Sequence, residues 1–83
     1  MKIKCIIKTP SSSHEIPDID MVLLPCQHGQ MGVLYKHMTM VAQVTPGTVY
    51  CHNGENVSRV DVDSGIALID SDRVELFCTT FQL

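Results

Sequence analysis

Tryptophan is absent from this 83-residue chain, and two Phe and two Tyr are its only other ring-bearing aromatics. The stacking platform on which single-strand nucleic-acid binders lay their bases is therefore missing. Basic charge is also scarce: six Lys and Arg stand against nine Asp and Glu, and a net charge of −3 repels phosphate backbones. No nucleic acid partner is expected. Long apolar runs are lacking too, since stretches such as Met21 to Leu24 stop well short of the ~20 residues that span a bilayer. Any membrane association is expected to go through a partner, with no direct lipid insertion. The start, Met1 to Lys8, interleaves lysines with apolar residues and lacks the unbroken core of a signal peptide. Cys5, Cys26, Cys51 and Cys78 form no Cys-x-x-Cys pair. Their even count would fit two disulfides in a secreted miniprotein, but without a signal-peptide pattern reduced and mostly buried thiols are expected.

What is present is a period-two alternation that recurs along the chain, with almost no 3.6-residue pattern. It predicts one all-β domain, residues 1–83, built as a flattened sandwich or barrel of short strands. Ile3, Cys5 and Ile7 share the inner face of a first strand, and Thr9 to Ser13 read as a loop. His14 to Ile16 predict a brief strand. Asp18 to Leu24 predict a longer one, with Ile19, Met21 and Leu23 on one face and Asp18, Asp20 and Val22 on the other. Cys26 to Gly32 is a glycine-punctuated loop or distorted strand. Lys36 to Val44 reads as a loop followed by a strand that stops at Pro46-Gly47. Asn53-Gly54 marks a tight hairpin turn between Thr48–His52 and Val57–Val62. A final hairpin joins Gly65–Ile69 to Arg73–Cys78, with Val74, Leu76 and Cys78 inward.

The residues capable of chemistry are poorly arranged for it. Cys26-x-His28 and Cys51-His52 carry zinc-ligand types, yet there is no matched second pair, and adjacent strand residues point to opposite faces. A small Cys/His metal-binding domain using Cys26, His28 and Cys51 is kept as the alternative reading, with no metal as the expectation. A cysteine nucleophile, Cys26 or Cys51 with His28 or His37, has no supporting oxyanion-hole motif. Gly29 and Gly32 are not followed by the Gly-Lys-Ser/Thr of a phosphate loop, so with Pro46, Gly47 and Gly65 they are assigned to shaping the backbone. Met31, Met38 and Met40 suit either irregular core or an adaptable contact surface rimmed by Gln30, Lys36 and His37.

Val22-Leu23-Leu24-Pro25, Gly29-x-x-Gly32-Val33-Leu34-x-x-His37, Pro46-Gly47, Ser64-Gly65 and Asp72-Arg73-Val74 occur in an order and spacing that resemble the N-terminal domain of the epsilon subunit of F-type ATP synthases. The resemblance implies a β-sandwich of about ten strands and a non-catalytic rotor subunit without a cofactor. It implies two partners in the central stalk, the gamma subunit and the c-ring, and a role in coupling proton-driven rotation to ATP synthesis. It also implies a peripheral position at the cytoplasmic face of the inner (plasma) membrane. By the same resemblance, His37, Met38, Thr39, Met40 and Val41 meet gamma, while Cys26, Gln27, His28, Gly29, Gln30 and Met31 meet the c-ring. Departures from the family pattern are Gln30 where Glu is frequent, Lys36 where Gly is frequent and Thr39 where Pro is frequent. The chain stops at Leu83, where typical bacterial members continue into a helical hairpin, so no hairpin-mediated inhibition of ATP hydrolysis is expected.

Overall fold

The computed structural model describes residues 1–83, all in strands and short connections, with no helix. Ten strands follow in order: β1 (Ile3–Lys8), β2 (Ser13–Ile19), β3 (Met21–Cys26), β4 (Gly29–Leu34), β5 (Met40–Val44), β6 (Gly47–Asn53), β7 (Asn56–Val62), β8 (Gly65–Ile69), β9 (Arg73–Cys78) and β10 (Phe81–Gln82). They form two five-stranded sheets, β2-β1-β9-β8-β5 (sheet A) and β10-β7-β6-β3-β4 (sheet B). All pairings are antiparallel except β1 with β9, where Lys4 to Lys8 run beside Arg73 to Phe77 in the same direction.

Alternation makes this architecture. Inward positions of both sheets supply the whole core: every one of the 18 buried residues is apolar or a cysteine, and no polar or charged residue joins them. Such a core has no hydrogen-bonding atom left to satisfy in its middle. The neighbouring Cys51 thiol of sheet B, and burial after it, push the fully buried Cys5 thiol of sheet A well above the ordinary thiol range.

The first hairpin departs from the sequence expectation. Between Ile3–Ile19 and Cys5–Ile16 the register slips by one residue in β2, a bulge in which Asp18 takes φ 57°. Pro17 is tolerated there because β2 is an edge strand. The chain then leaves sheet A for sheet B at Asp20, so the predicted single strand from Asp18 to Leu24 is two. Ile19, Val22 and Leu24 point inward, while Met21 and Leu23 face outward and are half-buried. A strand period of two cannot be carried across a change of sheet.

The later hairpins follow the prediction closely. β6 pairs with β7 through Asn53–Asn56, so the turn residues are Gly54-Glu55, one step beyond the predicted Asn53-Gly54. Strands β8 and β9 have the predicted limits and inward faces. Phe81 adds a short edge strand against Val62 and stacks on His14 of β2 at 6.1 Å, closing one side of the sandwich.

Three aspartates fasten the connections. Asp20 pairs with Lys2 and accepts the Gly54 N–H at 2.7 Å. Asp63 accepts the N–H groups of Thr79 and Thr80 at 3.0 and 3.2 Å. Asp70 accepts the Ser71 N–H at 2.7 Å and the Thr39 hydroxyl at 3.1 Å. These bonds hold all three carboxyls below the usual range, through Lys2 chiefly for Asp20, the Thr80 N–H for Asp63 and the Ser71 N–H for Asp70. Folding thus favours their charged forms. Their contribution is complete above the ordinary carboxylate pKa near ~4 and is lost as acid protonates them below it.

Two outcomes follow for stability. Thermal melts are expected to hold a constant midpoint from neutral pH down to about 5 and to fall steeply below about 4, with Asp63→Asn flattening that fall. At Gly65, an added Cβ would sit 2.2 Å from the Phe77 carbonyl oxygen, whereas at Gly32 it would make ordinary contacts with Leu23 Cδ2 at 3.6 Å and Met21 Sδ at 3.8 Å. Gly65→Ala should cost roughly 1–3 kcal/mol in urea unfolding, and Gly32→Ala should leave the midpoint nearly unchanged.

Candidate functional site

The outer face of sheet A is where large apolar side chains stand in solvent. Val41 of β5, Ile66 and Leu68 of β8 and Phe77 of β9 are 41–63% exposed. The register gathers them: Val41 lies beside Leu68, Gln43 beside Ile66, and Ile66 beside Phe77. Sheet B's outer face exposes only one such residue to this degree, Leu34. A contiguous apolar patch of this kind marks a contact surface, where scattered single residues would not.

Charge flanks the patch. Glu75, next to Leu68 across the ladder, accepts from Lys8 at 3.0 Å and has Arg73 at 3.6 Å. The Lys8 ammonium also lies 5.5 Å from the centre of the Phe77 ring. The Lys8 hydrogen bond, more than any other cause, holds the Glu75 carboxyl below its usual range. A shallow cavity of about 300 Å³ opens here, floored by Val41 and Leu68 and walled by Thr39, Asp70, Arg73 and Glu75.

The loop from Tyr35 to Thr39 borders the same face because it is tied to the β8–β9 turn. Lys36 takes φ 68° and its N–H donates to the Ser71 carbonyl at 2.6 Å, while the Thr39 hydroxyl reaches Asp70. His37 Nδ1 lies 2.8 Å from the Met38 carbonyl, which can only accept, so Nδ1 carries the proton. Met38 is 71% exposed in the loop before β5, and Met40 turns back against the core. Thus Met38 and Val41 are presented outward, Thr39 is engaged with Asp70, and His37 is held by its own backbone.

The second group of sequence-assigned residues lies elsewhere. Cys26 to Met31 form the β3–β4 hairpin, with Gln27-His28 at the tip and Gly29 at φ 118°, a conformation side chains rarely adopt. The six residues of β4 separate this tip from His37, a span of roughly 17–20 Å along a strand. His37 and the hairpin tip are thus set apart, but the two groups adjoin where Met40 of the first shares a cavity with Met31 of the second. A cavity of about 310 Å³ lies beside the hairpin, lined by Cys26, His28, Gln30, Met31, Met40 and Gln43. The metal-binding alternative fails on geometry, because no three His, Cys, Asp or Glu side chains converge anywhere and Cys51 is sealed in the core.

Ile66, Leu68 and Phe77 were missed in the sequence as site residues. Their signal was available: with Ala67, Ile69, Val74, Leu76 and Cys78 filling the inward positions of β8 and β9, the intervening apolar residues had to face outward.

Residues 2–83 match the family model described as the ATP synthase delta/epsilon chain beta-sandwich domain. An ATP synthase epsilon chain from Alkalihalophilus pseudofirmus is 30% identical over 81 residues, covering 98% of this chain and 61% of that one. A mitochondrial ATP synthase subunit delta' from Ipomoea batatas is 40% identical over 55 residues, 66% of this chain and 28% of that subunit. The chain thus spans less than two thirds of the length of these curated relatives. Among solved structures, a chain of the Euglena gracilis mitochondrial ATP synthase, described as OSCP/F1/c-ring, superposes with a TM-score of 0.85 at 19% identity. That superposition covers 98% of this chain and 52% of that one.

Burial sets one test of this layout. Cys5, Cys51 and Cys78 are buried and Cys26 is half-exposed beside the hairpin tip, so a disulfide reagent applied to the native protein should titrate one thiol quickly. The other three should react only on unfolding, and Cys26→Ser should abolish the fast phase.

Proposed function

This chain belongs to the beta-sandwich domain family of ATP synthase delta/epsilon chains, and from that premise we propose that it is a non-catalytic part of the rotating central stalk. Its outer sheet A face grips the gamma subunit, and the Cys26–Met31 hairpin at one end meets the polar loops of the c-ring. Held between them, the sandwich joins proton-driven ring rotation to ATP synthesis in the catalytic head. It lies peripheral to the membrane, at its cytoplasmic face, through these contacts alone. No helix in the structure is long and apolar enough to cross a bilayer.

The observation that carries this reading is the patch of Val41, Ile66, Leu68 and Phe77, framed by the Lys8–Glu75–Arg73 ion cluster, with Met38 exposed in the loop that leads into β5. Its composition, an apolar centre with a charged rim, is that of a protein contact surface. The outer sheet A face and the hairpin tip are distinct surfaces that adjoin at the Met40–Met31 cavity, which suits a piece held between two partners. A rotor element must pass torque without yielding, and a close-packed two-sheet core deforms little. At the hairpin, Gln30 is neutral, so a contact there depends on hydrogen bonding more than on charge.

Gel filtration of the chain mixed with its cognate gamma subunit should give one co-migrating peak at micromolar concentration. Val41→Asp with Leu68→Asp places two charges in the patch and should weaken gamma binding at least tenfold, about 1.4 kcal/mol. The same loss is expected from His37→Ala with Met38→Asp. Arg59→Glu, on the far face over Tyr50, should bind as the unaltered chain does. Unchanged melting midpoints verify that each variant is folded, and separate peaks for the unaltered pair would refute the proposal.

A further inference from the structure

The sandwich has four edge strands, β2 and β5 in sheet A and β10 and β4 in sheet B. Exposed edges offer unpaired backbone groups to any passing strand, and proteins usually guard them with proline, charge, bulges, glycine or brevity. Three of these edges are guarded. β2 carries Pro17, Glu15 and the bulge at Asp18; β10 has two residues; β4 is broken up by Gly29 and Gly32. β5 has none of these devices. Its five residues, Met40-Val41-Ala42-Gln43-Val44, contain no charge, proline or glycine and pair in unbroken register with β8.

The free side of β5 is also unoccupied by the chain itself. The only nearby backbone bond outside the ladder runs from Thr45 N–H to the Pro25 carbonyl at 3.0 Å, just beyond the strand's end. On the opposite flank of the molecule Phe81 stacks on His14 and closes the gap between sheets. On the β5 flank the gap stays open as the cavity of about 310 Å³ between Met40, Ala42 and Gln43 and the hairpin residues Gln30 and Met31. Val41, 63% exposed, makes this edge continuous with the apolar patch.

We infer that the gamma partner adds an extended segment to the edge of β5, prolonging sheet A by one strand. This rests on the gamma reading above and deepens it, changing a face-only contact into one anchored by main-chain hydrogen bonds. The incoming strand would lie ~4.8 Å from β5. It would carry apolar side chains on the side that continues the Val41–Leu68 row and small ones on the side facing the cavity. Along β5, backbone N–H groups alternate between the β8 ladder and the open edge.

Residue-resolved amide exchange by NMR on the full chain, free and saturated with gamma, tests the inference. Every second amide of Met40 to Val44 should exchange freely in the isolated chain and slow at least tenfold in the complex, with the β2 and β4 edges unchanged. Co-migration with gamma while those amides keep their free rates would overturn strand addition and leave the gamma reading standing. Slowing that grows with concentration of the chain alone would also overturn it, by making a second copy the occupant. Failure to co-migrate at all would remove the gamma reading and this inference with it.

Discussion

Everything in this molecule depends on one constraint: ten short strands must keep their apolar side chains on the inward side of two sheets at once. The 18 buried residues form a single layer of contact between sheets A and B with no polar residue among them. Nothing but packing and the ladder bonds holds that layer together, and a chain of this size has little core to spare. The aspartate bonds at the connections matter for this reason. Each sits where the alternation is interrupted and ties two connections that would otherwise fray.

The same constraint explains why the outer faces can carry function. Once the inward positions are fixed, the outward ones are free of structural duty, and apolar residues there must answer to something outside the chain. Sheet A carries such residues on three neighbouring strands, next to an ion cluster that fixes Lys8, Glu75 and Arg73 relative to Phe77. The β3–β4 hairpin is different in character. Its tip is polar and its root is filled by Met31 and Cys26, side chains that adapt their packing.

Much of the fold was legible in the sequence because alternation is a local signal. β1, β8 and β9, the loop before β5 and the hairpin near Gly54 could all be read from it. The break at Asp20 could not, because a passage between sheets leaves no periodic mark and the residues on both sides are equally apolar. The parallel pairing of β1 with β9 was equally hidden, since it joins residues about seventy apart. The number of strands came from family resemblance. At the site, the loop residues His37 to Val41 were assigned through that resemblance, while Ile66, Leu68 and Phe77 were passed over because single outward apolar residues signal little until the strand register shows them side by side.

The β1–β9 pair has a mechanical meaning. Its two strands run in the same direction, one near the beginning of the chain and the other near its end. A pull that separates the two ends draws β1 and β9 past each other along their length, so the bonds between Lys4–Lys8 and Arg73–Phe77 bear the load together. A hairpin pulled at its open end gives way one bond at a time. In this sandwich the strand pair that joins the first and last thirds of the chain is loaded in shear, the geometry in which a few hydrogen bonds resist force best.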